Sequence, residues 1–244
     1  MSDSTTDRVT LVIGGGGGIG SEVVHHLPGT VVVAGRTRDA LEAVAADTGA
    51  SVRELDARDL GRVVTAVQEV MDEHGRLDGI VNAAGSVMIK PAHLTTPDEW
   101  DAIVATNLTT AFATVRAAGS VMKDGGSVVL VSTAATSTGL ANHEAIAATK
   151  GGIDALVRSA SATYGRRGLR FNAVAPGLVA TSQTERITSN ERQAETSRAM
   201  HALGRLGEPG DIARAIAFLL DPGNDWITGQ VLGVDGGLSR VRTR

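Results

Sequence analysis

Seven short runs of β-branched and aliphatic residues, set apart by longer Ala-rich stretches, limit the folds open to this chain more than any other feature. The runs are VTLVI (9–13), TVVVA (30–34), SVREL (51–55), GIVNA (79–83), SVVLVS (127–132), LRFNAVA (169–175) and QVLGV (230–234). Helical stretches lie between them near 18–27, 38–48, 59–74, 97–122, 142–164 and 208–220. Such alternation calls for a parallel sheet with right-handed crossovers and helices on both faces. Aromatic residues make up only 2% of the chain, so the core must be built from Val, Leu, Ile and Ala, which suits a sheet buried on both sides. No Pro/Ser-rich linker, charge block or repeat divides the 244 residues. The expectation is one α/β domain over 1–244, a doubly wound sheet of about seven parallel strands. The polar segment 181–205, TSQTERITSNERQAETSRAMHALGR, breaks the rhythm shortly after a Pro-Gly. In a doubly wound fold it lies beyond the carboxyl end of a strand, where ligands bind, so a substrate lid is expected there.

Composition removes several functions. The chain has no cysteine, which rules out disulfides, thiolate catalysis and Cys-ligated metals, and no metal is expected. The opening MSDSTTDR has no basic stretch followed by an apolar one, so no signal peptide is read there, and no apolar run reaches membrane-spanning length. A reducing, cytoplasmic setting is the expectation. A net charge of −4 with interspersed signs argues against nucleic acid as the main partner, and the basic RVRTR (240–244) reads as a solvated tail or a subunit contact. The partner expected is a small-molecule substrate.

The run IGGGGGIG, Ile13 to Gly20, closes the first strand and opens the first helix. Glycine lets backbone approach a pyrophosphate closely, and the helix start supplies free N–H groups and a positive dipole end. The spacing Gly14-x-x-x-Gly18-x-Gly20 frames the turn, with Gly16, Gly17 and Ile19 as the further candidates. The second strand ends in AGRTRD. An acid at this strand end would hold a ribose 2′-hydroxyl, whereas a basic group accommodates a 2′-phosphate. Arg36, with Thr37 beside it and Arg38 close by, therefore favours NADP(H) over NAD(H).

Taken together, these features and several further segments resemble the short-chain dehydrogenase/reductase family, over nearly the whole chain. Gly14, Gly18 and Gly20 match its glycine-rich turn, with Ile13 in place of a threonine. Asp56 in ELDARD, followed by Ala57, looks like the aspartate that contacts adenine. VNAAG resembles the family's Asn-Asn-Ala-Gly segment through Asn82, Ala83, Ala84 and Gly85, with Ala83 replacing the second asparagine. Asn107 in TNLTTAF matches the asparagine that holds a proton-relay water. FNAVAPGLVAT resembles the segment that closes on the nicotinamide, with Pro176, Gly177, Val179 and Thr181 in the expected places. GRLGEPGDIA and WITGQVLGVDGG resemble its C-terminal landmarks. The resemblance implies a Rossmann-type fold, a nicotinamide cofactor, and a homo-oligomer, tetramer or dimer, in which 97–122 and 142–164 pair across two-fold axes.

One departure stands out. In the family a serine on the fifth strand orients the substrate carbonyl, a tyrosine thirteen residues later moves the proton, and a lysine four residues beyond holds the ribose. Counting back from Lys150 puts Ile146 at the tyrosine position and Thr133 at the serine position. Thr133 keeps a hydroxyl, whereas Ile146 has no proton to give. The one tyrosine, Tyr164, lies 14 residues past Lys150, about 21 Å along a continuous helix. His143 is the candidate replacement. It precedes Lys150 by seven residues, so on a continuous helix the two share a face, and histidine suits proton transfer near neutral pH. Enoyl reductases of the same superfamily place their tyrosine seven before the lysine. The bland alternative for His143 is a polar residue near a helix start that Asn142 caps. A lysine on an Ala-rich helix is more often solvated, and an asparagine within a helix is often merely exposed. The coincidence of Lys150 and Asn107 with the other segments is what marks them as site residues.

Three functions follow. The first is an NADP(H)-dependent oxidoreductase that moves hydride to or from a small carbonyl, imine or activated alkene without a tyrosine. An imine that is already cationic develops no alkoxide and needs little acid help. The second is a catalytically silent NADP(H)-binding sensor or scaffold. The third is a non-redox isomerase, dehydratase or cyclase using the same pocket.

Overall fold

Hydrophobic side chains along the strands point alternately to the two faces of the sheet, and each face is covered by its own set of helices. A computed structural model describes residues 7–242, so most of the MSDSTTDR leader reading and the last two residues of RVRTR lie outside the described part. The strands are β1 (Val9–Ile13), β2 (Thr30–Gly35), β3 (Ser51–Glu54), β4 (Gly79–Asn82), β5 (Gly126–Val131), β6 (Leu169–Pro176) and β7 (Val231–Val234). They form one sheet in the order β3-β2-β1-β4-β5-β6-β7, and every pairing is parallel. The helices are α1 (Gly18–Val24), α2 (Arg38–Thr48), α3 (Leu60–His74), α4 (Pro97–Ile103), α5 (Thr110–Val121), α6 (Glu144–Tyr164), α7 (Glu185–Thr188), α8 (Glu191–Met200) and α9 (Pro209–Leu220).

On one face Leu11, Ile13, Ile80, Val128 and Leu130 pack against Val63 and Val67 of α3, Ala113 and Ala117 of α5, and Ile153 and Val157 of α6. On the other, Val12, Val33, Val81, Val129 and Val174 pack against Val23 of α1, Leu41 of α2, and Ile212 and Ile216 of α9. This is the single α/β domain expected from the alternation. Strand order reverses between β1 and β4, and at such a switch point a crevice opens beyond the carboxyl ends of the strands.

Two of the expected helices differ from the expectation. The stretch 97–122 is interrupted by a π-helical turn, Val104–Thr109, between α4 and α5. A π turn inserts an extra residue and re-aims a side chain. Here that side chain is Asn107, whose amide bonds the backbone of Ser86 from both ends. The helix expected from 142 starts at Glu144. Asn142 does not cap it: its φ is +64° and its carbonyl accepts from the Lys90 N–H at 2.8 Å. His143 is the N-cap, and its side chain makes no cap bond. The segment 181–205 is largely helical, carrying α7 and α8.

Candidate functional site

The glycine run folds as a turn that admits no side chains at its key points. Gly14 has φ +81°, and a Cβ there would lie 2.5 Å from the Ala84 nitrogen. A Cβ on Gly20 would meet the Gly14 carbonyl oxygen at 2.2 Å, and one on Gly18 would meet the Thr181 side chain at 2.9 Å. The turn thus packs α1 against β1 and β4 while leaving Gly16 and Gly17 facing a cleft of about 250 Å³. Gly17 is the N-cap of α1 and offers no capping side chain, so the first amides of the helix are open to an anion. Ile19, read as a cofactor candidate, packs its side chain on the core beneath α9.

Beyond Gly35 the cleft is lined by Arg36, Thr37, Ala40, Asp56, Ala57 and Arg58. Arg36 is exposed and makes no hydrogen bond or ion pair with the described residues. Arg38 is turned away onto Glu42, one helical turn along, at 2.7 Å. The Arg58 guanidinium grips Asp56 and, with help from the nearby Arg36 charge, holds that carboxyl down at about 2. Arg58 was not picked out from the sequence.

At the other end stand Ala83, Ala84 and Gly85, joined by Thr106, Thr110 and Gln183, which sequence reasoning also did not single out. Asn82 is buried beneath them. It donates to Thr114 Oγ1 at 3.0 Å and accepts from the Ala84 N–H at 2.9 Å, so it shapes the turn from within. A methyl group on Gly85 would sit 3.0 Å from Asn107 Oδ1 and 3.2 Å from Lys150 Nζ, which brings these two buried polar groups to one spot behind the cleft. Lys150 donates to the Val131 carbonyl at 2.6 Å, and burial pulls its ammonium down to about 8, with Asp154 opposing the shift. The next residue, Ser132, donates to Asp154 Oδ1 at 2.6 Å. Thr133, half-buried, accepts from the Ala135 N–H at 3.4 Å.

Ile146 is 5% exposed and packs with Ala145, Ile103 of α4 and Met88. His143 does not line the cleft; its Nδ1 sits 2.7 Å from the Ala141 carbonyl oxygen. Tyr164 ends α6, with its ring tilted against Phe171 and under the Arg167 guanidinium.

The segment from Pro176 crosses the mouth of the cleft. Pro176 pairs with Val234, Val179 bridges to Gly207, and the Thr181 N–H donates to Thr184 Oγ1. Gln183 then donates to the Gly85 carbonyl at 3.0 Å. Gly177 is required because a Cβ there would lie 2.5 Å from His201 Nε2, which accepts from the Leu178 N–H. A larger cleft of about 470 Å³ lies beyond His201 toward β7, but its arginines, Arg205 and Arg214, are both committed to Asp211, and no residue of the glycine turn lines it. The nucleotide cradle is the first cleft.

Residues 17–239 match the family model described as Enoyl-(Acyl carrier protein) reductase. A chloroplastic tropinone reductase homologue of Arabidopsis thaliana is 33% identical over 242 residues, covering 94% of this chain and 74% of that protein. A 3-oxoacyl-acyl-carrier-protein reductase of Thermotoga maritima is 30% identical over 241 residues, covering 95% and 97%. Among solved structures, a short-chain type dehydrogenase/reductase from Mycobacterium ulcerans superposes with a TM-score of 0.92 at 31% identity, covering 98% of this chain and 92% of that one. The crystal structure of levodione reductase gives 0.90 at 29%, covering 97% and 99%. A nicotinamide-dependent class of oxidoreductase is thereby defined. The chain belongs to the short-chain dehydrogenase/reductase family.

Proposed function

We propose that this protein is an NADP(H)-dependent oxidoreductase acting on a small carbonyl, imine or activated alkene, with a proton donor other than tyrosine. The observation that carries the reading is a single cleft with a glycine cradle and the uncommitted Arg36 at one end, and Gly85 backed by Asn107 and Lys150 at the other. A bound NADP(H) would supply or accept the hydride. Gly14, Gly16, Gly17, Gly18 and Gly20, with the start of α1, would hold its pyrophosphate. Arg36 and Thr37, at the start of α2, would take the 2′-phosphate. Asp56 and Ala57 would face the adenine, and Lys150 the nicotinamide ribose. The 181–205 segment would close over the substrate, with the Gln183–Gly85 bond as its inner edge.

The chain's own residues must then orient a substrate and, for a carbonyl, deliver a proton to the oxygen. Thr133 can point its hydroxyl at that oxygen. Ile146 cannot donate, and Tyr164 is packed at the far end of α6, so neither serves. His143 has Nδ1 engaged by its own Ala141 carbonyl, which leaves Nε2 as the nitrogen for proton exchange. Its place outside the cleft weakens that role and favours substrates needing less acid help. The outer faces of α5 and α6, where Phe112 is 48% exposed, would pair in a homo-oligomer. On α6, Glu144 and Arg158 flank Gly151 at equal sequence distance and would meet across a two-fold axis. No described helix is long and apolar enough to cross a membrane.

The test has two stages: cofactor fluorescence for binding, then loss of NADPH absorbance against ketones, activated enones and cyclic imines. Turnover lost in His143→Ala assigns the donor to histidine. Turnover on imines alone, indifferent to His143, assigns the charge to the substrate. Tight binding without turnover supports the second reading, a silent NADP(H)-binding protein, which the hydrocarbon packing of Ile146 with Met88 and Ile103 favours.

A further inference from the structure

The register of β2 and β3 creates a conflict at the adenosine end of the cleft. Gly35 pairs with Glu54 and its carbonyl accepts the Leu55 N–H at 2.8 Å, so Arg36 leaves the end of β2 opposite Leu55, with Asp56 one residue further along. A carboxylate that shares the cleft with Arg36 repels a 2′-phosphate, which carries close to two negative charges, even while it faces the adenine. Arg58 resolves the conflict. Its backbone N–H reaches Asp56 Oδ1 at 3.0 Å, and its Nε lies 2.9 Å from Oδ1 and 3.0 Å from Oδ2. Both oxygens are engaged in a forked, charge-assisted contact. The ionisable side chains among the described residues that line the cleft are Arg36, Asp56 and Arg58. With Arg58 present the lining carries one net positive charge, and without it the lining is neutral with a bare carboxylate beside Arg36.

We infer that Arg58 is a specificity-determining residue that selects NADP(H) over NAD(H) by cancelling the Asp56 carboxylate, leaving Arg36 free for the 2′-phosphate; the inference rests on the NADP(H) reading above. Arg58 acts through Asp56 and need not touch the phosphate. The short chain turn between residues 56 and 58 keeps the pair together because the backbone N–H of Arg58 bonds the same carboxylate as its side chain.

The experiment is a fluorescence titration of full-length protein with NADPH and with NADH, at low and moderate salt. It compares wild type with Arg36→Ala, Arg58→Ala, Asp56→Asn and the Asp56→Asn/Arg58→Ala pair, with thermal melts confirming that each variant folds. Arg58→Ala is expected to cut the NADPH preference about fivefold at low salt, chiefly by raising the Kd for NADPH, and added salt is expected to shrink that loss. Adding Asp56→Asn is expected to restore the preference to within about twofold, because the charge to be screened is gone. A preference unchanged in Arg58→Ala, while Arg36→Ala abolishes it, overturns this inference and leaves the NADP(H) reading standing. A loss in Arg58→Ala that Asp56→Asn fails to repair also overturns it, since Arg58 would then bind phosphate directly. A wild type that prefers NADH removes the NADP(H) reading and this inference with it.

Discussion

Lys150 donates its ammonium proton to the carbonyl oxygen of Val131 over 2.6 Å, from a residue only 5% exposed. Burial is the main influence on its titration, lowering it from 10.5 to about 8, and the Asp154 carboxylate recovers part of that loss. Below pH 8 both folded and unfolded chains hold the proton, so the cost of burying the charge is present in full. Between about 8 and 10.5 the folded chain has released the proton while the unfolded chain keeps it, and stability rises with pH. Over that window wild type is expected to gain about 3 kcal/mol relative to Lys150→Met. Denaturant melts of the two proteins from pH 7 to 10.5 measure the difference. A constant gap would mean that the ammonium is not buried as described.

Asp154 lies one helical turn beyond Lys150 and also accepts the Ser132 hydroxyl proton at 2.6 Å. Replacing it with asparagine keeps a hydrogen-bond acceptor for Ser132 and removes the charge. The pH at which wild type starts to gain on Lys150→Met should therefore fall in the Asp154→Asn background. Nitrogen-detected NMR of the lysine side chain reads the same shift directly, and an unmoved titration would discard the coupling.

Ile146 is buried against Met88, Ile103 and Ala145. Truncation to alanine should cost about 2–4 kcal/mol through lost burial and a residual cavity. Ile146→Tyr should also destabilise, by about 1–3 kcal/mol, because the larger side chain must push α4 or the Met88 loop outward. Calorimetric melting of both variants settles it. A tyrosine variant as stable as wild type would show that the side chain finds an open route into the cleft.

The parts of this molecule that were legible in the sequence are those fixed by local chemistry or by short-range periodicity. Buried β-branched runs announced the strands, because a sheet covered on both faces cannot hide its apolar residues. The glycine turn announced itself through spacing. What stayed hidden depends on contacts between distant segments. The π turn at 104–109 exists where Asn107 reaches Ser86, 21 residues earlier, and nothing in TNLTTAF encodes that reach. Likewise α6 starts at Glu144 where Lys90 binds the Asn142 carbonyl and a positive φ turns the chain. Arg58 was legible in principle, since an arginine two residues after an acid can fold back on it. The signal acquires meaning only once β2 and β3 are in register.

The glycine run gives a prediction that separates fold from ligand binding within six residues. Gly20 lies inside α1, where alanine is ordinarily favoured over glycine by about 1 kcal/mol. Yet its Cβ would stand 2.2 Å from the Gly14 carbonyl oxygen, a backbone atom that cannot rotate away, so Gly20→Ala should destabilise the protein by several kcal/mol. Gly17 has φ −90° and ψ 162°, which any residue adopts, and a Cβ there meets its nearest atom at 3.4 Å, the edge of ordinary contact. Gly17→Ala should melt within about 1 kcal/mol of wild type. It nevertheless faces the cleft, so a methyl group would stand where a pyrophosphate approaches, and affinity for NADPH should fall by about tenfold or more, a displacement worth at least 1.4 kcal/mol. Paired melts and titrations on the two variants decide the point. Normal cofactor binding by a stable Gly17→Ala protein would move the phosphate site away from the start of α1.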